Sequence, residues 1–172
     1  EIRLSLVGSE MCIRDSPLPE AQLDRFMFNV ILDYPNYEEE LEIVKKTTSD
    51  AVTKLDVILT AEQIIAYQDL IRRIPVADNV LEYAVSLVNK TRLKNEKATE
   101  LTKKYITWGA GPRASQYLIV GAKCYAALRG KYSPDIEDVK AIAKPILRHR
   151  LVRNYRADAE GYSMDRIIEE LL

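Results

Sequence analysis

The sequence predicts a mainly α fold, a helical bundle preceded by the last helix and a short strand of an α/β core. Three observations carry this. Ala114, Tyr117, Leu118, Gly121, Ala122, Tyr125 and Leu128 recur at i, i+3, i+4 and i+7 over four turns, the mark of a central helix. Helix-start signals recur at Thr60 with Gln63 and at Ser133 with Pro134. Ahead of them a single β-branched, apolar stretch, Asn29 to Pro35, reads as a strand stopped by its proline.

Taken along the chain, Leu23, Phe26, Met27 and Val30 share one face of an expected first helix, with Arg25 about 200° from Leu23 on the opposite face. A second helix restarts near Asn36, with Glu38, Glu39 and Glu40 at the positive end of its dipole and Leu41, Val44 and Thr48 inward. Thr53 to Leu59 is an extended linker. A third helix follows through Ile64, Tyr67, Ile71 and Ile74, ended by Pro75. Asp78 is expected to cap a fourth through Leu81, Ala84, Val85 and Val88, whose charged tail, Arg92 to Lys97, is frayed or looped. Gly130 closes the central helix, where Gly121, Ala122, Ala126 and Ala127 permit close backbone approach and Cys124 is a small packed residue. Another helix runs through Ile136, Val139, Ile142 and Ala143 until Pro145 breaks or kinks it. A strand-like Val152 to Ala157 and a helix from Ser163 finish the chain.

Residues 1–16 fit neither this periodicity nor its caps. They resemble translated adapter read-through at the edge of a gene model, and are expected to be non-native.

Composition excludes several function classes. With 172 residues and 47% hydrophobic content the chain can bury a core. No apolar run is long enough to span a bilayer and no secretory signal is evident, so a cytoplasmic location is the expectation. A net charge of −1 with mixed signs provides no general attraction for nucleic acid. The exception is a basic run, Leu147 to Arg156, read as a solvated helix end and strand, or alternatively as a phosphate-gripping patch of Arg148, Arg150, Arg153 and Arg156. Two cysteines without metal spacing make neither a disulfide framework nor a zinc site. His149, the only histidine, has no marked nucleophile, and Arg148 and Arg150 beside it disfavour its protonated form.

Two places carry chemistry. Arg25, in Leu18 to Phe26 (LPEAQLDRF), is a surface arginine turned from its own core. In Gly109 to Ala114 (GAGPRA), Gly111 suits an N-cap and Pro112 the first helical position. Arg113 then sits in the first turn, where the dipole repels a cation by about 0.3 to 1 kcal/mol. An anion such as phosphate would offset that cost, as would a local carboxylate.

These segments, in the order LPEAQLDRF, YPNYEEE, GAGPRA and PDIEDVKAIAKPILRHRL, resemble the C-terminal part of a MoxR-type AAA+ ATPase from Pro17 to about Gly161. The resemblance implies that residues 17–35 end the AAA+ α/β core, 36–59 form a connecting helix and linker, and 60–172 form the helical lid. It implies that Arg25 is similar to the arginine finger acting in trans, and that Arg113, with Pro112 and Gly111, forms the nucleotide-sensing sensor 2 element. Gly111 stands where the family commonly has Ser. ATP and Mg2+ would be bound by the full-length protein, within a homo-oligomeric, hexameric ring. Partners would be client proteins such as those with von Willebrand A domains, in chaperone-like maturation or metal insertion. No phosphate loop of the form G-x-x-x-x-G-K followed by Ser or Thr occurs here, so this chain alone is expected neither to bind nor to hydrolyse ATP. The alternative is a non-catalytic helical module that binds protein or nucleic acid.

Overall fold

A computed structural model describes residues 18–50 and 56–172; the adapter-like segment and part of the 53–59 linker lie outside the described residues. The described chain divides into two compact units, residues 18–29 with 71–172, and residues 30–70. The sequence had suggested divisions at 35/36 and 59/60.

In the smaller unit, α2 (Tyr37–Thr47) starts at a capping box in which Glu39 N–H donates to Asn36 Oδ1 and Asn36 N–H to Glu39 Oε2, both at 2.9 Å. Thr60 and Gln63 open α3 (Ala61–Arg73), of which residues 61–70 belong to this unit, in the same way, at 2.9 and 3.3 Å. The expected inner face of α2 is open, since Leu41 and Val44 are exposed and no residue of either helix is buried.

In the larger unit, a short α1 (Glu20–Leu23) precedes a bundle of α4 (Asp78–Lys90), α5 (Glu100–Tyr105), α6 (Pro112–Leu128), α7 (Ile136–Leu147), α8 (Tyr155–Ala159) and α9 (Met164–Leu171). Strands β1 (Ile106–Trp108) and β2 (Val152–Arg153) pair antiparallel, Ile106 opposite Arg153 and Trp108 opposite Val152. The core lies where α6 packs on α7 and α4, around fully buried Leu87, Val88, Leu118, Ile146, Leu147, Ile167 and Ile168. Gly121 allows this approach: a Cβ there would stand 3.2 Å from the side chains of Ile142 and Ile146 and 3.3 Å from that of Met27. Gly130, at φ +74°, supplies the left-handed residue that ends α6.

Several expectations need correction. The first helix ends at Leu23 instead of running to Val30, and Phe26 and Val30 are exposed. The carbonyls of Asp24, Phe26 and Met27, which a continuing helix would use, are taken by the side chains of His149 and Arg150. The Asn29–Pro35 stretch has no regular secondary structure and belongs to no sheet among the described residues; β-propensity makes a strand only where a neighbour completes the ladder. Ala77, not Asp78, is the N-cap of α4, with Asp78 in its first turn. Asp135, not Ser133, caps α7, reciprocally with Asp138. Pro145 does not break α7, which runs on to Leu147, and the Pro145 carbonyl accepts from Asn29 N–H at 2.8 Å. Helix α5 and strand β1 were not anticipated; six and three residues are too few to express a period.

Candidate functional site

The start of α6 is a built feature. Gly109 packs on the end of α4 so closely that a Cβ would lie 2.2 Å from the Thr91 carbonyl oxygen. Ala110 N–H donates to Thr91 Oγ1 at 3.0 Å, and the Ala110 carbonyl accepts from Arg92 Nε at 2.9 Å. With the loop pinned on both sides, Gly111 serves as N-cap without a side-chain bond and Pro112 as the first helical residue. The first-turn amides of α6 thus lack a side-chain acceptor from the cap.

Arg113 projects from this first turn, about half exposed, and its Nη1 donates to Asp24 Oδ2 at 3.2 Å. The partner is a carboxylate brought from the LPEAQLDRF segment, 89 residues away. Asp24 Oδ1 accepts from Arg150 Nε at 3.1 Å. One carboxylate therefore joins the two arginines.

Arg150 is the buried member, its side chain 1% exposed. Besides Asp24 it donates to the carbonyls of Asp24 at 3.0 Å, Phe26 at 2.5 Å and Met27 at 3.2 Å, and to that of Ile146. The Tyr117 ring lies 5.0 Å from the guanidinium carbon, and the Tyr117 hydroxyl donates to the Arg25 carbonyl at 3.0 Å. A planar, permanently charged five-donor group suits such a set of acceptors, where a lysine would not. Burial lowers the Arg150 pKa from its ordinary value and Asp24 raises it again; the group stays charged.

His149 Nε2 lies 2.9 Å from the Phe26 carbonyl and 2.8 Å from Arg150 Nη1, while its buried Nδ1 has no partner among the described residues. Arginine only donates, so Nε2 cannot serve both contacts in one tautomer. Burial chiefly, with Arg150 adding to it, pushes the His149 pKa below its ordinary value and keeps the ring neutral. Asp24, His149, Arg150, Trp108, Gly109, Gly111 and Val152 line a small cleft of about 190 Å³.

Arg25 is exposed in the turn after α1, and its guanidinium has no hydrogen bond or ion pair among the described residues. It is exposed, as the sequence suggested for a surface arginine, although in a turn and not a helix. The structure thus brings Gly111, Pro112 and Arg113 into one element and ties them to the turn bearing Arg25 through Asp24. Asp24 escaped the sequence reading, which placed Tyr117 only in the central apolar stripe and Arg150 only in the basic run.

That run is not a free cationic surface. Arg148 makes a two-pronged pair with Asp165 at 2.7 Å for each bond, Arg153 pairs with Asp158 at 3.0 Å and Arg156 with Glu160 at 2.7 Å. Arg150 is buried and not solvated, and Tyr155 stands alone at 87% exposure instead of lining a groove. A nucleic-acid grip built on these four arginines loses Arg150 to burial, while Arg148, Arg153 and Arg156 are each already paired with a carboxylate. Among the described residues no cluster of acidic, histidine or cysteine side chains could hold a metal ion, and no helix is long and apolar enough to cross a membrane.

Residues 98–171 match the family model for the AAA lid domain. The chain is 36% identical over 162 residues to the chaperone MoxR1 of Mycobacterium tuberculosis, covering 91% of this chain and 41% of that protein. It is 31% identical over 157 residues to YeaC, an uncharacterized protein of Bacillus subtilis, covering 91% of this chain and 46% of YeaC. A crystal structure of a protein from Cytophaga hutchinsonii, provisionally named an ATPase, superposes with a TM-score of 0.80 at 34% identity over 91% of this chain and 48% of that one. The chain spans less than half the length of each.

Proposed function

With the chain placed among the MoxR-type AAA+ proteins by its lid domain and its relatives, we propose that it contributes two cationic elements to an ATP-hydrolysing, chaperone-like assembly. Arg113 reports nucleotide bound by its own subunit as the lid closes. Arg25 reaches the γ-phosphate held by a neighbouring subunit and stabilises the charge that develops in the transition state. The assembly is a homo-oligomeric ring, hexameric and cytoplasmic, that uses ATP to mature or metallate client proteins, including ones with von Willebrand A domains.

One observation carries this reading. Two arginines from distant segments lie in the same compact unit, Arg25 without any side-chain partner among the described residues and Arg113 held by a single weak pair to Asp24, the residue before Arg25. An arginine half exposed at a helix N-terminus, with a pair worth about 0 to 1 kcal/mol, is available to a phosphate. ATP is the substrate of this reaction. Mg2+ would be held through the phosphates of ATP, its waters and one or two carboxylates; among the described residues no group of three or more Asp, Glu, His or Cys side chains comes together.

The test is subunit mixing in the full-length ring. An Arg25→Ala protein is expected to bind ATP normally and lose turnover by about 10³-fold or more. Mixed with subunits that cannot bind ATP but keep Arg25, it should regain activity, because each then supplies what the other lacks. Loss of ATP binding in Arg25→Ala, or no recovery on mixing, would contradict a role in trans.

A further inference from the structure

Asp24 precedes Arg25 in the chain and is paired with Arg113, and its geometry fits it to more than packing. Its Oδ2 accepts from Arg113 and its Oδ1 from Arg150. The two bonds differ in kind. Arg150 is enclosed, and grips the turn additionally by three of its backbone carbonyls, those of Asp24, Phe26 and Met27. Arg113 makes one 3.2 Å bond to Asp24 and is about half exposed to solvent. Tyr117, one helical turn along α6 from Arg113, holds the same turn from above by donating to the Arg25 carbonyl. The turn bearing Arg25 is therefore fastened firmly by Arg150 and adjustably by the first two turns of α6.

We propose that Asp24 is a positioning residue that couples the two arginines. With no nucleotide on its own subunit, Arg113 pairs with Asp24 and steadies the turn that presents Arg25. A phosphate group reaching the α6 N-terminus competes with Asp24 for Arg113, because the same guanidinium cannot keep its full bond to both. Occupancy of one subunit's site then alters how firmly that subunit presents Arg25 to the next. The linkage is reciprocal: whatever Asp24 subtracts from nucleotide affinity, nucleotide subtracts from the hold on the turn. An exposed pair of this kind sets the expected effect at about two- to fivefold, suited to modulation and not to an on/off switch. This inference rests on the nucleotide-sensing reading of Arg113.

The experiment measures binding and turnover separately in the full-length protein, with a non-hydrolysable ATP analogue and Mg2+ as the binding probe. Asp24→Asn removes the competing charge while keeping the side chain's size. It should tighten analogue binding about two- to fivefold and at the same time lower kcat, a pair of opposite changes that general loosening of the fold does not produce. In Arg113→Ala,Asp24→Asn the tightening should vanish. Tyr117→Phe touches no charge; it should lower kcat by a similar factor with the analogue affinity unchanged, and it keeps the proposal testable should Asp24→Asn not fold. Hydrogen exchange of the Phe26 to Phe28 amides should quicken when the analogue binds to the unsubstituted protein.

Weaker or unchanged analogue binding in a folded Asp24→Asn protein would overturn the coupling, as would an unaltered kcat in Tyr117→Phe. If Arg113→Ala alone leaves analogue affinity unchanged, it is the sensing role of Arg113 that fails, and the coupling falls with it. The two failures are thus told apart by which single variant is silent.

Discussion

Arg150 and Asp24, 126 residues apart in the chain, meet at 3.1 Å with the arginine side chain 1% exposed. This contact decides where the LPEAQLDRF segment goes. Its helix stops after one turn, and the carbonyls that a helix running on toward Val30 would use accept instead from Arg150 and His149. Fixing this turn fixes the exit direction of Arg25.

Arg150→Met should therefore destabilise the protein by about 3 to 5 kcal/mol, since it leaves Asp24 Oδ1 and several turned-in carbonyls unpaired. Urea unfolding followed by circular dichroism measures this. Arg150→Lys should recover only part of the loss, because an ammonium cannot address the Asp24 carboxylate and three carbonyls from one plane. A substitution cost below about 1 kcal/mol would mean that the network holds nothing together.

His149 makes stability depend on pH in a defined window. Its folded pKa is depressed below the ordinary 6.5, chiefly by burial. Above 6.5 neither state takes up the proton, so stability is unaffected by this residue; as pH falls below 6.5 the unfolded chain binds a proton that the folded one resists, and stability drops. Glu160, held by Arg156, Tyr105 and Lys104 with its pKa down at about 2, acts lower, from 4.5 downward. Between pH 6.5 and 5 the unfolding midpoint should fall, and His149→Asn should flatten that slope.

The glycines of GAGPRA should respond in opposite ways. Gly109→Ala forces a Cβ to within 2.2 Å of the Thr91 carbonyl oxygen and carbon-framework movement must follow, at about 1 to 3 kcal/mol or more. Gly111 has extended backbone, φ −77° and ψ 177°, and open space where a Cβ would stand. Gly111→Ser should be neutral or stabilising by a few tenths of a kcal/mol, as the hydroxyl caps an otherwise unserved N-terminus. Paired thermal melts of the two variants provide the comparison.

Removing the hydroxyl of Tyr105, which donates to Glu160 Oε2 at 2.6 Å, should release Glu160 partly from its low pKa without disturbing the 4.2 Å stacking on Tyr162. In Tyr105→Phe, a carboxyl titration by NMR should show Glu160 moving up toward 4.5 while remaining below it, because Arg156 and Lys104 are still in place.

What the sequence disclosed, and what it withheld, follow one physical division. Long periods and local caps were visible: the α6 stripe from Ala114 to Leu128, the Thr60 and Gln63 reciprocal pair, and Ser163 ahead of α9 are each written within a few residues. The turn at Asp24 was not, because the apolar spacing of Leu23, Phe26 and Met27 is satisfied as well by a helix, and the competitor for its carbonyls lies 126 residues away. Likewise the run from Arg148 to Arg156 read as a charged surface because its carboxylates, Asp158, Glu160 and Asp165, come later in the chain. Arg113 was recognised by its unfavourable place on a helix dipole, whereas its tie to Asp24 required the fold.

The docking of Asp24 on Arg150 also has an entropic side. Closing a flexible loop of 126 residues costs about 1 to 2 kcal/mol more in the unfolded chain than the much shorter loop that brings α6 onto α7. Contacts between near neighbours form before distant ones reward closure. The segment that offers Arg25 is therefore expected to join a bundle already assembled and to be released before that bundle melts, so that a partly unfolded subunit would keep its lid while withdrawing its contribution to the neighbour.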